Sequence, residues 1–335
     1  MRNRLKNICN HLLPNLNIHP VLVDVGASGE PPKIWDPIAT YSIYVGFDPD
    51  AREIPDLPQN KFYKSTIINR AVIENDLSKE ANFYFTKFPY CSSTLKPDFQ
   101  SLSHFLFSDL FIVEKETKVQ STSLNSVVNE LFLPAINWLK IDSQGIDLRI
   151  FTGLKDEMRS KILAIDIEPG LIDAYEGEDL FVDVHKRLTQ EGFWLSTLNV
   201  GDAVRMRKSS LAYLSEVKNE IKINLAEQTL KKTPAWCEAR YLRTVASLVQ
   251  NNLSKNEFVL LWLFSTLDHQ MGFALDLALE YKKLFGTDNI FESMFEETAE
   301  CIRLSQQRTF LGMIKFFLPV SFKGWLKSSS FKVNS

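Results

Sequence analysis

The chain has 335 residues, of which 45% are hydrophobic, so it is long enough for one large domain and an appendage. Its net charge of -3 argues against a general nucleic-acid binder, which would carry a broad excess of Lys and Arg. The 4 cysteines stand far apart and form no C-x-x-C pair, which argues against a zinc site or a disulfide framework and favours a reducing cytoplasm.

The first segment, residues 1–19, contains basic residues but lacks the continuous apolar stretch of a secretory signal. We expect it to form a helical lead. The longest apolar run, Phe258–Leu267, is well short of the roughly 20 residues that a membrane span needs. The sequence therefore predicts a cytoplasmic protein without a transmembrane helix.

Between residues 20 and 210, short β-rich runs alternate with helical patterns, which is typical of a mostly parallel sheet with helices on both faces. Strands are predicted at residues 21–25, 43–48, 69–73, 82–86, 137–142 and 162–168. A last pair, 193–198 and 203–208, flanks a segment with Gly201 and Asp202, which predicts a β-hairpin. The sheet should therefore end with an antiparallel strand.

Two predicted helices have recognisable ends. Residues 122–132 begin with Thr and Ser, which are suited to cap the helix, and a later helix ends at Gly192, a suitable C-cap. Beyond residue 210 the strand pattern disappears and apolar residues recur at helical spacing. Residues 211–335, including the stretch 236–250, are therefore predicted to be a helical C-terminal region.

A glycine-containing turn follows the first predicted strand. Asp24 lies in that strand, and the turn consists of Gly26, Ala27, Ser28 and Gly29. Glycine permits positive φ and a close approach of the backbone to a ligand. Ligands of open parallel sheets bind beyond the carboxyl ends of the strands, where the strand order reverses. We expect this turn to contact a ligand, although such a segment can also be only a turn.

The second predicted strand ends at Asp48, which is suited to accept hydrogen bonds from the hydroxyls of a ribose. A dinucleotide-binding turn would read G-x-G-x-x-G, and the third glycine and its spacing are absent here. Asp24 stands where the amino-acid part of a ligand could meet a carboxylate. These features favour S-adenosylmethionine over NAD, because S-adenosylmethionine has no pyrophosphate to hold.

A series of sequence blocks between about residues 20 and 200 carries a family pattern. The blocks are VLVDVGASGEPPKIWDPIA, YVGFDPD, TKFPYCSSTLKPD, TSLNSVVNE, NWLKIDSQGIDLRIFTGL and DIEPGLIDAYEGEDLFVDVHKRLTQEGF. The most specific part, LKIDSQGIDLRIFTGL, has the form K-I-D-x-[EQ]-G-x-[ED]-x-x-[IVL]-x-x-G. The order of these blocks resembles the FkbM family of S-adenosylmethionine-dependent methyltransferases.

The resemblance implies a Rossmann-like class I methyltransferase sheet, mostly parallel with an antiparallel last strand, followed by the helical C-terminal extension. It also implies an acceptor hydroxyl on a sugar, a glycan or a secondary metabolite. The chain then divides into the lead at residues 1–19, a methyltransferase domain at 20–210 and the helical region at 211–335.

Methyl transfer to a hydroxyl needs an aligned acceptor and a group that orients the hydroxyl or takes its proton. Asp142 ends the predicted strand 137–142, and the family pattern keeps an aspartate there; it is equally suited to cap the following helix. Lys140 lies on the same side of that strand and is either a salt-bridge partner or an acceptor-binding cation. Glu168 ends the next strand, so it can form a carboxylate pair with Asp142.

The loop at residues 88–98 mixes aromatic, hydroxyl and lysine side chains, and the resemblance favours it as an acceptor-binding loop that includes Ser92 and Ser93. Without the resemblance it could be a tight turn. Tyr175 either faces the same cleft or is a buried structural tyrosine. No set of metal ligands is apparent in the sequence, so no metal is predicted.

The segment at residues 310–332 combines aromatic and aliphatic residues with lysines and contains no acidic residue. Such a composition suits the surface of an anionic membrane. It equally suits packing on the acidic remainder of this chain or on a second subunit of a homo-oligomer, and packing is the simpler interpretation.

The leading hypothesis from the sequence is an S-adenosylmethionine-dependent methyltransferase, with no nucleic-acid partner. A non-catalytic nucleoside-binding module is the first alternative. An NAD-dependent oxidoreductase is the second, and it is disfavoured by the missing third glycine and by the lack of a hydride-site pattern such as Tyr-x-x-x-Lys.

Overall fold

The computed structural model describes residues 2–50, 52, 58, 60–218, 222 and 225–317. The strands are β1 (Val21–Val25), β2 (Ile43–Phe47), β3 (Lys64–Ile68), β4 (Ala71–Ile73), β5 (Glu80–Thr86), β6 (Val113–Ser123), β7 (Trp138–Ile141), β8 (Ala164–Ile167), β9 (Phe193–Ala203) and β10 (Thr233–Arg243). The first six α-helices are α1 (Arg2–Asn15), α2 (Phe99–Leu102), α3 (Leu124–Glu130), α4 (Asp147–Gly153), α5 (Asp156–Arg159) and α6 (Phe181–Gln190). The others are α7 (Lys208–Val217), α8 (Ala226–Thr229), α9 (Val245–Gln250), α10 (Lys255–Leu267), α11 (Met271–Phe285) and α12 (Asn289–Phe317).

The main sheet has 7 strands in the order β3-β2-β1-β7-β8-β10-β9. Strands β3, β2, β1, β7 and β8 pair in parallel, and β10 pairs antiparallel with both β8 and β9. The strand order reverses between β1 and β7, so the chain's ligand-binding edge is expected at the carboxyl ends of these two strands. The predicted mostly parallel sheet with an antiparallel strand is confirmed.

The strands of this sheet carry apolar side chains on both faces, and helices cover each face. One face packs on α3, α4 and α6 through residues such as Val127, Phe151 and Leu188. The other face packs on α1, α10, α11 and α12 through residues such as Trp138 and Trp262. The chain is therefore a three-layer α/β/α structure that is compatible with a Rossmann-like methyltransferase fold, and its C-terminal helices form part of one layer.

Helix α10 explains the longest apolar run of the sequence. Ser254 and Glu257 form a capping box at its start, and every residue from Phe258 to Leu267 is buried. It is a core helix in the layer beside the sheet. Within the described part of the chain, no helix is both long and apolar enough to cross a membrane.

The predicted hairpin at Gly201 and Asp202 is wrong. β9 continues through both residues to Ala203, because they pair with Trp236 and Pro234 of β10. A Cβ atom on Gly201 would lie 2.1 Å from the Trp236 ring, so glycine is needed here for the indole to pack against the strand. The antiparallel strand of the sheet is therefore β10 and does not lie at 203–208.

The predicted helical character of residues 236–250 is also wrong over its first half. Ala235, Cys237, Ala239 and Tyr241 are buried at every second position of β10, which is the period of a strand. The other elements described in the predicted region, as far as Phe317, are the helices α7 to α12. Residues 318–335, which hold most of the basic tail, lie outside the described residues.

A smaller sheet in the order β4-β6-β5 stands beside the carboxyl ends of β1 and β2. The sequence did not predict β3 or β6. It predicted one strand at residues 69–73, whereas β3 has already ended at Ile68 and only Ala71–Ile73 forms a strand, β4. Val72 of β4 and Phe83 of β5 contribute to the cavity described next. The small sheet therefore forms one wall of the candidate site.

The predicted helix ends are confirmed. Ser123 caps α3, since its side chain accepts a hydrogen bond from the backbone N–H of Ser126. Gly192 follows the end of α6 with a φ of +83°. These two residues therefore mark the start of α3 and the end of α6.

Candidate active site

A cavity lies at the switch point of the main sheet, between the ends of β1, β2 and β7 and the small sheet. We call it the switch-point cavity. Its walls include Gly26, Ser28, Asp48, Asp50, Thr94 and Asp142. Three residues of the predicted cofactor set (Gly26, Ser28 and Asp48) and the predicted catalytic Asp142 therefore come together around one space.

The glycine turn is shaped by the neighbouring strand end. Gly26 has a φ of +78°, and a Cβ atom there would lie 2.1 Å from the backbone oxygen of Asp142. The backbone N–H groups of Gly26 and Ala27 both donate to the Phe47 oxygen at 2.9 Å. Gly29 also has positive φ, +72°, but a Cβ atom there would meet no other atom within 4 Å. Gly26 thus brings the ends of β1, β2 and β7 together, whereas Gly29 has open space around it. Contact of Gly29 or Ala27 with a cofactor stays a prediction.

Asp24 supports this turn through hydrogen bonds of its side chain. Its Oδ1 accepts a hydrogen bond from Lys140 Nζ at 2.8 Å, and its Oδ2 accepts one from the Tyr44 hydroxyl at 3.1 Å. Lys140 Nζ also lies 3.3 Å from the Gly26 oxygen, to which it donates. Both oxygens of Asp24 are occupied and the residue is 2% exposed, so the structure presents it as a support for the turn. Direct contact of Asp24 or Lys140 with a ligand stays a prediction.

Burial by itself would lower the pKa of Lys140, but the negative charges of Asp24 and Asp142 outweigh it and the pKa is raised. The ammonium group therefore stays charged. Lys140 forms a salt bridge, one of the two roles that the sequence allowed.

Asp48 lies at the end of β2 and is 7% exposed. Its Oδ1 accepts a hydrogen bond of 2.7 Å from the backbone N–H of Asp50. Burial raises the pKa of Asp48 to about 6, with repulsion from Asp50 adding to the rise. Asp50 itself pairs with Arg52 across 2.5 Å. The cavity therefore offers a fixed carboxylate of the kind that a pair of hydroxyls can bind.

Asp142 follows β7 and is held by Gln144. The Gln144 side chain donates from Nε2 to Asp142 Oδ1 at 2.6 Å, and its Oε1 accepts from the Tyr175 hydroxyl at 2.9 Å. The Tyr175 hydroxyl also lies 2.9 Å from the Cys91 carbonyl oxygen, and Ser93 Oγ donates to the Gln144 backbone oxygen at 2.6 Å. The orientation of Asp142 thus depends on a network that reaches the loop at residues 88–98.

The capping role considered for Asp142 is not observed. Helix α4 begins at Asp147 and its N-cap position is Ile146, without a side-chain cap. Asp147 instead bridges the two strand ends, since its side chain accepts from the backbone N–H of Ser143 at 2.9 Å and of Glu168 at 3.2 Å. Burial raises the pKa of Asp147 to about 7.

Glu168 ends β8 next to Asp142, because Ile141 and Ile167 are paired in register. Ile167 also pairs with Ala239, which brings Glu238 of β10 to the other side of Glu168. Burial raises the pKa of Glu168 to about 9, and the negative charges of Asp142 and Asp147 add to the rise. The predicted carboxylate pair is thus part of a row of three acidic residues across the sheet.

A second row of charged side chains lies on the same face of the sheet, two residues further from the carboxyl ends of the parallel strands. Asp24, Lys140, Asp166 and Arg240 alternate in sign along paired positions of four strands. Arg240 binds Asp166 at 2.6 Å and Asp268 at 2.7 Å. The charges of this deeper row are therefore compensated within the protein, whereas the outer row of Asp142, Glu168 and Glu238 has a surplus of negative charge.

Two more spaces adjoin the switch-point cavity. The first, which we call the polar groove, has a volume of about 330 Å³ and is lined by the outer row and by Lys140, Asp166 and Arg240 of the deeper row. The second, the aromatic cavity, has a volume of about 190 Å³ and lies among Tyr90, Phe107, Phe111, Tyr175 and Trp236. Asp142 belongs to both the switch-point cavity and the groove, and Glu168 to both the groove and the aromatic cavity.

The predicted acceptor residues take three different positions. Ser92 lines the switch-point cavity, and its Oγ accepts from the backbone N–H of Thr86 at 3.1 Å. Ser93 is fully buried and holds the Gln144 turn. Tyr175 is 2% exposed and lines the aromatic cavity. Contact of these three residues with an acceptor stays a prediction.

Thr94 was not among the site residues predicted from the sequence, although it lies in the predicted acceptor-binding loop at residues 88–98. The Thr94 hydroxyl is buried and has no hydrogen-bond partner among the described residues, and it lines the switch-point cavity. Buried hydroxyls are normally paired, so this one is suited to a ligand. Within the described ranges, no group of three or more His, Cys, Asp or Glu is arranged to hold a metal ion.

Residues 33–195 match the family model described as the methyltransferase FkbM domain. The match covers a little under half of the chain, confirms the resemblance over that segment, and supports a methyltransferase at the level of the family. It leaves out β1 and β10, which belong to the same sheet. Comparisons with curated proteins and with solved structures gave no match.

Proposed function

We propose that the chain is an S-adenosylmethionine-dependent methyltransferase that methylates a hydroxyl oxygen of a sugar, a glycan or a secondary metabolite. The observation that carries this proposal is the position of Asp142 in the wall between the switch-point cavity and the polar groove. A group in that wall can face a bound nucleoside on one side and, on the other, the groove that shares Glu168 with the aromatic cavity. The family-level match supports the reaction type.

The residues of the switch-point cavity fit the proposed cofactor. Asp48 would bind the ribose hydroxyls, the turn at Gly26 would form the wall beside the ligand, and the unpaired Thr94 hydroxyl would gain a partner. When bound, S-adenosylmethionine would supply a methyl carbon that forms a bond with the acceptor oxygen as its carbon–sulfur bond breaks, with the bonding pair passing to sulfur.

The segment after the glycine turn argues against a dinucleotide. A pyrophosphate usually rests on the N-terminus of the α-helix that follows the first strand. Here only short 3-10 helices, Lys33–Trp35 and Ala39–Tyr41, separate β1 from β2. The oxidoreductase alternative therefore lacks both the glycine pattern and the helix that would bind its cofactor.

The outer acidic row supports a ligand with positive charge. Burial raises the pKa of Glu168 to about 9, and the nearby carboxylates of Asp142 and Glu238 add to the rise, so Glu168 holds a proton near neutral pH. A positive charge beside Asp142 would lower the pKa of Glu168 and favour its carboxylate form. Glu168 would then take the hydroxyl proton and release it to solvent, a role worth about 10²- to 10⁴-fold in rate.

Binding experiments separate the proposed cofactor from NAD. Isothermal titration should detect S-adenosylhomocysteine, and Asp48→Asn should weaken its binding by about 10-fold or more, as expected for a lost hydrogen bond to a charged group. Asp183→Asn, on the exposed side of α6, is the matched control and should bind like wild type. Binding of NAD in place of S-adenosylhomocysteine would contradict the proposal.

Turnover separates an enzyme from a non-catalytic nucleoside-binding module. A metabolite extract incubated with the protein and methyl-labelled S-adenosylmethionine should acquire label that base treatment does not remove, as expected for an ether. Asp142→Asn should abolish this labelling while leaving the protein folded. Tight binding without any labelled product would favour the module.

A further inference from the structure

The aromatic cavity has a continuous wall of rings. Phe107 and Trp236 stack with centroids 6.4 Å apart and planes at 27°. Phe111 contacts Phe107 edge-on at 5.3 Å and Tyr175 at 5.6 Å. The rings come from distant parts of the chain, namely the 3-10 helix Leu106–Phe111, the loop after β8 and the start of β10. The wall therefore forms only in the folded chain.

The mouth of this cavity is apolar and accessible. Phe88 and Tyr90 are 41% and 48% exposed, and their rings lie 5.2 Å apart. Large apolar side chains that remain exposed around a cavity mark a binding surface. A ring-shaped ligand can thus enter between this pair and the wall that ends at Trp236.

The floor of the cavity carries the ionisable groups. Glu178 is already engaged, since its Oε2 accepts from the backbone N–H groups of Ala174 at 2.7 Å and Tyr175 at 3.1 Å. Glu168 is shared with the polar groove and stands beside Asp142. A ligand in the aromatic cavity would therefore meet Glu168 on the side that adjoins the polar groove, next to Asp142.

The described residues that line the aromatic cavity include no Lys, Arg or His. A carboxylate or phosphate that entered would lose its hydration without gaining a cationic partner, which is strongly unfavourable. An uncharged ring with one apolar face would gain contact with the aromatic wall. The lining thus selects against acidic ligands.

We propose that the aromatic cavity is the methyl-acceptor site, that it takes an uncharged hydroxylated ring such as a neutral glycoside and rejects the acidic counterpart, and that Trp236, seated on Gly201, binds the apolar face of that ring. The inference rests on the proposed function and deepens it. The acceptor hydroxyl points towards Glu168, and the apolar ring face lies against Trp236. The oxygen of that hydroxyl gains the methyl group and its proton passes to Glu168.

A comparison of neutral glycosides with an acidic counterpart tests whether the aromatic cavity excludes negatively charged ligands. Neutral phenyl glycosides of glucose, galactose and rhamnose are titrated into the protein with S-adenosylhomocysteine bound, and phenyl β-D-glucuronide serves as the acidic counterpart of the glucoside. At least one neutral glycoside should bind, at least tenfold more tightly than the glucuronide. Binding of the glucuronide as tight as any neutral probe, or binding of no neutral probe at all, overturns the proposal.

Two variants test the role of Trp236. Trp236→Ala removes the wall, and Gly201→Ala forces the indole to move, because the new Cβ would lie 2.1 Å from the ring. Both should weaken the neutral glycoside at least tenfold while S-adenosylhomocysteine affinity stays within twofold, which also shows that the variants fold. Val200→Ala, the 50% exposed neighbour of Gly201, should change neither affinity.

Unchanged glycoside affinity in both Trp236→Ala and Gly201→Ala overturns the assignment of Trp236. The result is distinct from failure of the proposed function, which would show itself as absent S-adenosylhomocysteine binding in the wild-type protein. Wild-type binding of S-adenosylhomocysteine with a negative glycoside result refutes the acceptor site alone.

Discussion

The side-chain amide of Gln144 donates a hydrogen bond to the carboxylate of Asp142 across 2.6 Å. Gln144 adopts a φ of +57° to do so, a conformation that costs a residue other than glycine about 1–2 kcal/mol. Backbone strain of this kind concentrates at functional sites. The chain thus accepts an unfavourable conformation at the residue that orients the carboxylate between two cavities.

We predict that Gln144→Glu weakens S-adenosylhomocysteine binding in a pH-dependent way. The replacement keeps the shape but puts a second carboxylate against Asp142, and the two repel unless they share a proton. Titration calorimetry should show a loss of about 10-fold or more at pH 8, the size expected for a lost hydrogen bond to a charged group, and a smaller loss at pH 6. Gln190→Glu, at the exposed end of α6, should behave like wild type. Equal affinities of Gln144→Glu and wild type at both pH values would contradict this role.

Alanine substitutions at the two glycines of the turn can be compared directly. Gly26 and Gly29 have nearly equal φ, +78° and +72°, but only Gly26 lacks room for a Cβ atom. Gly29→Ala should lower the free energy of unfolding by about 1–2 kcal/mol, the cost of the backbone conformation alone, and retain ligand binding. Gly26→Ala should cost more and abolish binding, because the end of β7 must move. Urea denaturation and titration calorimetry measure both effects, and equal losses in the two variants would refute the packing argument.

Removal of Lys140 should expose the cost of an unpaired buried carboxylate. Asp24 is 3% exposed at its side chain and has Lys140 as its cationic partner at 2.8 Å. Lys140→Met should therefore lower the free energy of unfolding by about 3 kcal/mol. Adding Asp24→Asn to Lys140→Met should restore part of that loss, because the amide carries no charge. A double-mutant cycle by urea denaturation gives the coupling, and purely additive losses would show that the pair is not coupled.

The raised pKa of Glu168 predicts a stability that declines with pH. Its carboxyl titrates near 4.5 when unfolded and at about 9 when folded, so the native chain holds an extra proton between these values. The contribution to stability is complete below pH 4.5 and is lost as the pH rises towards 9. Glu168→Gln, which mimics the protonated form, should flatten the decline in unfolding free energy measured from pH 5 to pH 9.

Glu157→Gln provides the control for that pH series, because Glu157 is exposed on α5. Its unfolding free energy should follow the wild-type curve at every pH. A Glu168→Gln curve that also runs parallel to wild type would show that the decline comes from the other buried carboxyls with raised pKa values, Asp24, Asp48, Asp147 and Glu178.

The sequence predicted those parts of the site that depend on local pattern. Gly26 and Asp48 follow buried apolar strands directly, so their convergence at the switch point could be expected from strand order alone. Asp142 and Glu168 end neighbouring parallel strands, and their adjacency follows from the register of β7 and β8. These relationships need only the parallel arrangement of the strands.

Other parts depend on contacts between segments that are distant in the chain. The positive φ of Gln144 accompanies its bonds to Asp142, Ser93 and Tyr175, and the last two residues are distant in the sequence. Glu238 joins the acidic row only because β10 inserts beside β8. The strand itself was missed although its burial alternates, because the helices on either side of it dominate the apolar pattern of that region.

The position of β10 also constrains how the chain is made. Both neighbours of this strand, β8 and β9, leave the ribosome before it, and the sheet has a gap between them until the segment from Val204 to Arg243 has been added. At about 5–20 residues per second, that wait lasts seconds, which far exceeds the microseconds in which hairpins form. During synthesis β9 must therefore stay off the edge of β8, or leave it again, before Glu238 and Trp236 can take their places in the site.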